Sequence, residues 1–388
     1  MFVLKTQIGE DIRNIRKEFK LTKEKLARLS KINIRTLRYL ENGERIGKIE
    51  TLLKIRNVLQ KNYKIDLAER IGIKIVWDLQ DLDQEGQSII EGGLLGDGCI
   101  AKYETSQRGN YLQEAKDREY LEWLGELLNK IGIKYKVIST NHKDSYSKNK
   151  NYYCLYSHSC PAFYEFRKRW YIEGKNRGIK RIPPNLKLTP STLLHLYLGD
   201  GDLKHDKRTG KRGGRPSVGL SLNDFSKEDI ELLIKNFKRD FNLDFYSSPK
   251  PNKNIKKGYI LHLYTKDLFK FFNIIGQNPP TEIENSLTKE LEGGRICTFK
   301  DKWPDKQDWI KILAKTKGIG KLLKERRKEL ALTQRGVAEK VGVKKHHISE
   351  IECGRKQMSL NCFNKILLML TLDISKLLDT LFTQNETI

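Results

Sequence analysis

The sequence is poor in cysteine: six in 388 residues, with no Cys-x-x-Cys pair. That excludes a disulfide framework and fits a reducing compartment, so the cytoplasm is the expected location. Cys154, His158 and Cys160 fall close together. The first two would share a strand, however, and no zinc site is expected there. No stretch is long and apolar enough to span a bilayer, and no charged-then-apolar signal segment follows Met1. Acidic residues are the minority charge, 49 Asp plus Glu against 74 Lys plus Arg, a formal net charge of +25. This balance points to a polyanionic partner, most simply nucleic acid. The length allows two or three domains with sizeable cores.

Two stretches share one design. Ser88 to Ile100 is apolar and ends in Gly96-Asp97-Gly98; Leu193 to Leu203 is apolar and ends in Gly199-Asp200-Gly201. In the second, Thr189 serves as N-cap and Pro190 suits the first helical position. A helix from there carries Asp200 to its C-terminal end, where Gly201 turns the chain out. A carboxylate at that end faces the negative pole of the helix dipole, unfavourable by roughly 0.3–1 kcal/mol. Two helices that both end this way make sense if their tips lie side by side and share cations. One Gly-Asp-Gly is ordinarily a turn; two copies, each followed by a strand-rich segment, point to a site.

These residues resemble the LAGLIDADG homing endonucleases with both motifs on one chain, Ile90 to Gly98 standing for the first motif and Leu193 to Gly201 for the second. The resemblance implies that the motif helices pack at the centre of the domain. It implies that Asp97 and Asp200, with the backbone carbonyls of Gly96 and Gly199, bind a divalent metal (Mg²⁺ or Mn²⁺) beside the scissile phosphates. Gly92 and Gly96, one turn apart, suit close packing; in the second copy His195 replaces the family's first small residue and is read as packing over a partner glycine. The family also places a basic residue near each acid, which puts Lys116 in the first site; the matching place by helix alignment is Ser226, with Lys204 or Lys227 as substitutes.

The segment after each motif reads strand, strand, helix, strand, strand, helix. An αββαββα unit occurring twice is an α+β pattern, and the resemblance turns it into a pseudo-twofold saddle of two antiparallel sheets. The inter-strand loops are basic. Lys204, Lys207, Arg208, Lys211, Arg212 and Arg215 crowd one of them, and Asn141–Asn151 and Ser248–Lys257 are the others. Three such loops at strand ends would line a groove for a phosphate backbone.

Residues 8 to 60 read as short helices joined by tight turns, capped at Thr22 and Asn33. The pattern returns near the other end: Leu21-Thr22 as Leu332-Thr333, Leu37 as Ile348, Glu41-Asn42-Gly43 as Glu352-Cys353-Gly354. Every pair is offset by 311 without a gap, as 21 is to 332. Both units resemble Cro/repressor-like helix-turn-helix domains. With Ile34, Leu37 and Leu40 turned inward, Arg35, Thr36 and Arg38 are left to face DNA; the second unit offers Gln334, Lys344, Lys345, His346, His347 and Ser349.

The expected organisation is a helix-turn-helix domain over residues 1–61, a linker over 62–85, LAGLIDADG repeats over 86–185 and 186–280, a connector over 281–318 and a second helix-turn-helix over 319–388. The expected activity is metal-dependent, double-strand cleavage of DNA across the minor groove by a monomer of the intron-homing type. The alternatives are a DNA-binding regulator on the same scaffold, from which the presence of both acids argues away, and an RNA-splicing maturase.

Overall fold

The computed structural model describes residues 2–44, 49–65, 76, 78–102, 108–141, 151–173, 178–205, 215–249, 258–290, 296–316 and 318–383. Thr22 and Asn33 each start a helix by accepting a backbone N–H, from Lys25 and Arg35 respectively. Helices α1 (Phe2–Glu18), α2 (Lys23–Leu29), α3 (Ile34–Glu41) and α4 (Ile49–Tyr63) close around Ile12, Ile15, Leu26, Leu37, Ile55 and Leu59. Inside this bundle the Arg16 guanidinium forks onto the Glu41 carboxylate at 2.7 and 2.9 Å and also donates to the Leu21 carbonyl. A Cβ on Gly9 would come 2.0 Å from the Leu40 carbonyl oxygen, so only glycine lets α1 cross α3 there. Ile34 departs from expectation and is exposed. As the first residue of α3 its side chain tilts back past the edge of the core.

The remainder of the chain contains the duplicated unit. The first copy runs α5 (Gln84–Leu95), β1 (Gly98–Lys102), β2 (Gly109–Ala115), α6 (Arg118–Lys130), β3 (Tyr135–Asn141), β4 (Asn151–Ser157) and α7 (Pro161–Trp170). Two short strands, β5 (Tyr171–Ile172) and β6 (Ile179–Lys180), lead to the second copy: α8 (Pro190–Asp200), β7 (Gly201–His205), β8 (Pro216–Leu222), α9 (Lys227–Phe241), β9 (Phe245–Pro249), β10 (Tyr259–Leu263) and α10 (Thr265–Ile275). Both sheets are antiparallel, in the orders β1-β2-β4-β3 and β7-β8-β10-β9. Alternation sets their faces: Val218, Leu220 and Leu222 are buried while Ser217 and Ser221 are only half-buried. Beneath the first sheet lie Tyr111, Phe163 and Phe166; beneath the second, Phe237 stacks on Phe245 with ring centres 4.4 Å apart.

The connector packs on the second copy. After the hairpin of β11 (Leu287–Glu290) and β12 (Ile296–Thr298), Trp303 sets its ring edge-on to Tyr197 and donates its indole N–H to the Gly276 carbonyl. Trp309, on α11 (Lys306–Leu313), packs against Phe269, Phe272 and Phe382. Among the described residues six α-helices follow that hairpin: α11, α12 (Ile319–Glu329), α13 (Gln334–Val341), α14 (Lys345–Glu352), α15 (Leu360–Met369) and α16 (Ile374–Thr383). Here Arg327 forks onto Glu352 at 2.6 and 3.0 Å and donates to the Leu332 carbonyl, and a Cβ on Gly320 would strike the Ile351 carbonyl oxygen at 1.9 Å. Each of these residues stands 311 positions after its counterpart in the first bundle, as Glu352 does after Glu41. The duplicated pattern thus extends from apolar positions to a buried ion pair and a close backbone approach. Among the described residues no helix is long and apolar enough to cross a membrane.

Candidate active site at the helix seam

Helices α5 and α8 lie side by side. At Gly92 a Cβ would come 2.6 Å from the Thr192 carbonyl oxygen and 2.7 Å from the His195 Cβ. The histidine therefore occupies the space that the glycine leaves. It is buried, stacked on Trp123, and burial pushes its pKa down to about 4, so the ring is neutral. One turn on, Gly96 and Gly199 face each other in ordinary contact. A Cβ on Gly96 would lie 3.7 Å from Asp200 Oδ2, and one on Gly199 would lie 3.9 Å from Asp97 Oδ2. Each carboxylate therefore hangs over the other helix's glycine, which brings the two acids to one seam.

Crowding shows in their protonation. Burial raises the pKa of Asp97, although its tip opens to the cleft. Burial first, and then the charge of Asp97, pushes Asp200 up to about 8. Both pKa values are held down by the same two lysines. Lys180 Nζ donates to the Gly96 carbonyl at 3.0 Å, lies 3.8 Å from Asp224 and sits over the Phe225 ring. Lys302 Nζ donates to the carbonyls of Leu198 (2.7 Å) and Gly199 (3.3 Å). Carbonyls at a helix C-terminus lack helical partners, and an ammonium satisfies them while meeting the negative end of the dipole. Burial pushes the Lys180 pKa down, against the pull of Asp224, Asp200 and Asp97.

A cleft of about 500 Å³ opens beside the seam, lined among others by Asp97, Glu114, Lys116, Tyr120, Gly199 and Lys302. Lys116 thus shares a cavity with Asp97. Its counterpart is not Ser226. Gly98 pairs with Gln113 as Gly201 pairs with Leu220, so the sheet register aligns Lys116 with Asn223. Ser226 instead caps α9, Lys227 pairs with Glu231, and Lys204 lies along Gly219. Lys180 and Lys302 escaped the sequence analysis. Each sits among apolar neighbours, Ile179 and Ile182 for one and Trp303 for the other, but among 74 basic residues that signal is faint.

Of the other DNA-binding candidates, Arg35, Thr36 and Arg38 are exposed on α3, Arg215 is exposed, and Lys204 is half-buried. Lys344, Lys345 and His346 are exposed at the start of α14; His347 and Ser349 are half-buried. Gln334 turns inward and donates to Glu352 at 2.9 Å. Lys207, Arg208, Lys211 and Arg212 lie outside the described residues.

The donor set fits a hard divalent ion: two carboxylates and the carbonyl oxygens of Gly96 and Gly199, each of which keeps a lone pair beyond the one given to lysine. Among the described residues no group of three or more His, Cys, Asp or Glu side chains is placed to hold a metal, so backbone oxygens would have to complete the shell.

Residues 87–271 match the model of the LAGLIDADG DNA endonuclease family, and residues 12–64 match a helix-turn-helix model. A protein of Methanocaldococcus jannaschii described as uncharacterized protein MJ1098 is 26% identical over 213 residues, covering 54% of this chain and 76% of that one. The homing endonuclease I-WcaI bound to its DNA recognition sequence is similar with a TM-score of 0.43 and 22% identity, over 57% of this chain and 91% of that one. The N-terminal LAGLIDADG domain of DUF199/WhiA gives a TM-score of 0.31 at 16% identity, over 50% of this chain and 85% of that one.

Proposed function

Taking the central segment as a LAGLIDADG endonuclease-family domain and the first bundle as a helix-turn-helix, we propose that this protein is a site-specific DNA endonuclease of the homing type that cuts both strands across the minor groove. One observation carries the reading: two acids meet at the ends of paired helices, each over the other's glycine, with one lysine ammonium at each helix end. A regulator that only holds DNA gains nothing from crowding two carboxylates that repel each other.

Phosphodiester hydrolysis needs an activated water, neutralisation of charge in the transition state and help for the leaving oxygen. A divalent ion, Mg²⁺ or Mn²⁺, held by Asp97, Asp200 and the carbonyls of Gly96 and Gly199 supplies positive charge against that transition state. Lys180 and Lys302 fix the helix ends and keep positive charge beside the seam at which each acid serves one strand. Lys116 lines the same cleft as Asp97, which supports assigning it the transfer of a proton to the leaving oxygen. The basic loops, Lys204 and Arg215 among them, take the phosphate backbone over the open faces of the sheets.

We further propose that residues 319–388 form a second helix-turn-helix domain, on the strength of the repeated ion pair and glycine crossing. Arg35, Thr36 and Arg38 in the first unit, and Lys344, Lys345 and His346 in the second, stand ready for bases and phosphates. Two pseudo-symmetric halves on one chain make a monomer sufficient.

The test is incubation with Mg²⁺ and DNA from the protein's own genetic neighbourhood. Cleavage is expected, with Asp97→Asn or Asp200→Asn abolishing it while binding survives. Protection of a site without any cutting by the unaltered protein overturns the nuclease and leaves a regulator.

A further inference from the structure

The second helical bundle shares a core with the second repeat. Helix α11 packs on α10 and β8 on one side and on α15 and α16 on the other. Trp309 of α11 is 4% exposed, its ring edge-on to Phe269 and Phe272 of α10 and to Phe382 of α16. Phe269 and Phe382 also meet directly, with ring centres 5.3 Å apart. Two hydrogen bonds cross the joint as well. The Met358 amide donates to the Ala314 carbonyl at 3.1 Å, and Lys315 Nζ donates to the Met358 carbonyl at 2.9 Å. For the bundle to swing, these rings would have to be exposed to water.

Charge gathers at the same joint. Burial, and then the neighbouring positive charge of Arg215, pushes the Lys315 pKa down. Arg215 stands immediately before β8 and closes the basic stretch that begins at Lys204. Two cations held close together attract phosphate. Beyond the joint, the bundle exposes Lys344, Lys345 and His346 at the start of α14.

We infer that the second bundle reads a sub-site of duplex DNA flanking the half bound by the second repeat, at a fixed distance and helical phase from the cut. This rests on the proposals above that the domain holds duplex DNA and that the bundle is a helix-turn-helix. Five base pairs inserted before the sub-site would turn it through about half a helical turn and move it about 17 Å. Ten would restore the phase but move it about 34 Å. A bundle held in a shared core follows neither.

The experiment uses the full chain without divalent metal. A site is recovered from a long random duplex library. The half whose hydroxyl-radical protection weakens in Lys204→Ala marks the second repeat. Protection is expected to extend beyond that half and to retract when Lys344→Ala and Lys345→Ala are combined, with binding at least about tenfold weaker. For the unaltered protein, each insertion between half and sub-site should cost as much as those substitutions. Tolerance of either insertion would make the bundle a tethered module and overturn the inference. A sub-site beside the other half, or protection that needs a second chain on the duplex, overturns it too. Binding indifferent to the α14 substitutions, with cleavage once Mg²⁺ is added, overturns it and leaves the endonuclease proposal standing. Failure to recover any site removes the DNA reading itself and this inference with it.

Discussion

Lys302 places its ammonium 2.7 Å from the carbonyl oxygen of Leu198, at the end of the helix that carries Asp200. Lys180 does the same for the turn that carries Asp97, through the Gly96 carbonyl at 3.0 Å. A fixed ammonium beside developing negative charge acts most strongly in the transition state, where losing one such group costs roughly 10²–10³ in rate. Lys180→Met and Lys302→Met should each slow one strand by about that factor. A supercoiled plasmid carrying the site would then accumulate as the nicked form, with DNA affinity little changed. Equal slowing of both strands, or none, would remove the one-lysine-per-strand assignment.

At Gly92 the backbone of α8 leaves no room for a side chain on α5. A methyl there meets the Thr192 carbonyl oxygen at 2.6 Å, and neither helix backbone can move aside cheaply. Gly92→Ala should destabilise the protein by about 1–3 kcal/mol in urea unfolding. Gly199→Ala meets nothing nearer than 3.5 Å and should change stability by less than about 1 kcal/mol. Similar losses at both positions would contradict the packing argument.

The second motif helix with its cap and both runs of strands were legible because each depends on local chemistry: Thr189 caps its helix through the backbone amide of Thr192, and alternation marks the strands. Groups brought in from a distance were not. Lys180 reaches Gly96 across 84 positions and Lys302 reaches Gly199 across 103, and no periodicity encodes such a reach. Gln334 is a similar case. It opens its helix as a surface residue would, yet the buried Glu352 carboxylate draws it inward. The packing of the connector on Tyr197 and Phe272 depends on tertiary shape in the same way.

The paired bundles give a controlled comparison. Glu41 is fully buried against Arg16, and Glu352 nearly so against Arg327. Hydrogen bonding to the carboxylate raises both arginine pKa values, so neither guanidinium escapes by losing its proton. Glu41→Gln or Glu352→Gln leaves a buried charge unpaired, which costs about 3–5 kcal/mol. Each substitution should speed amide exchange in its own bundle and leave the other unchanged. Replacing both partners at once, as Arg327→Met with Glu352→Leu, should restore most of the loss. A double variant as unstable as the single one would mean that the pair does more than satisfy itself.

His195 makes the seam sensitive to acid. Its pKa falls from the ordinary value near 6.5 to about 4 because burial disfavours the charged ring. Between those values the unfolded chain binds a proton that the folded chain does not. Stability is therefore complete above about pH 6.5 and declines as the pH drops toward 4, by an amount approaching roughly 3 kcal/mol. In His195→Gln this contribution is absent, so the two stability curves, measured by urea unfolding without added metal, should converge as the solution is acidified. The carboxylates titrate in both proteins and cancel in the difference. Curves that stay parallel from pH 7 to pH 4.5 would show that the ring takes up its proton without leaving the folded state, and the tight stack on Trp123 beneath Gly92 would then need another explanation.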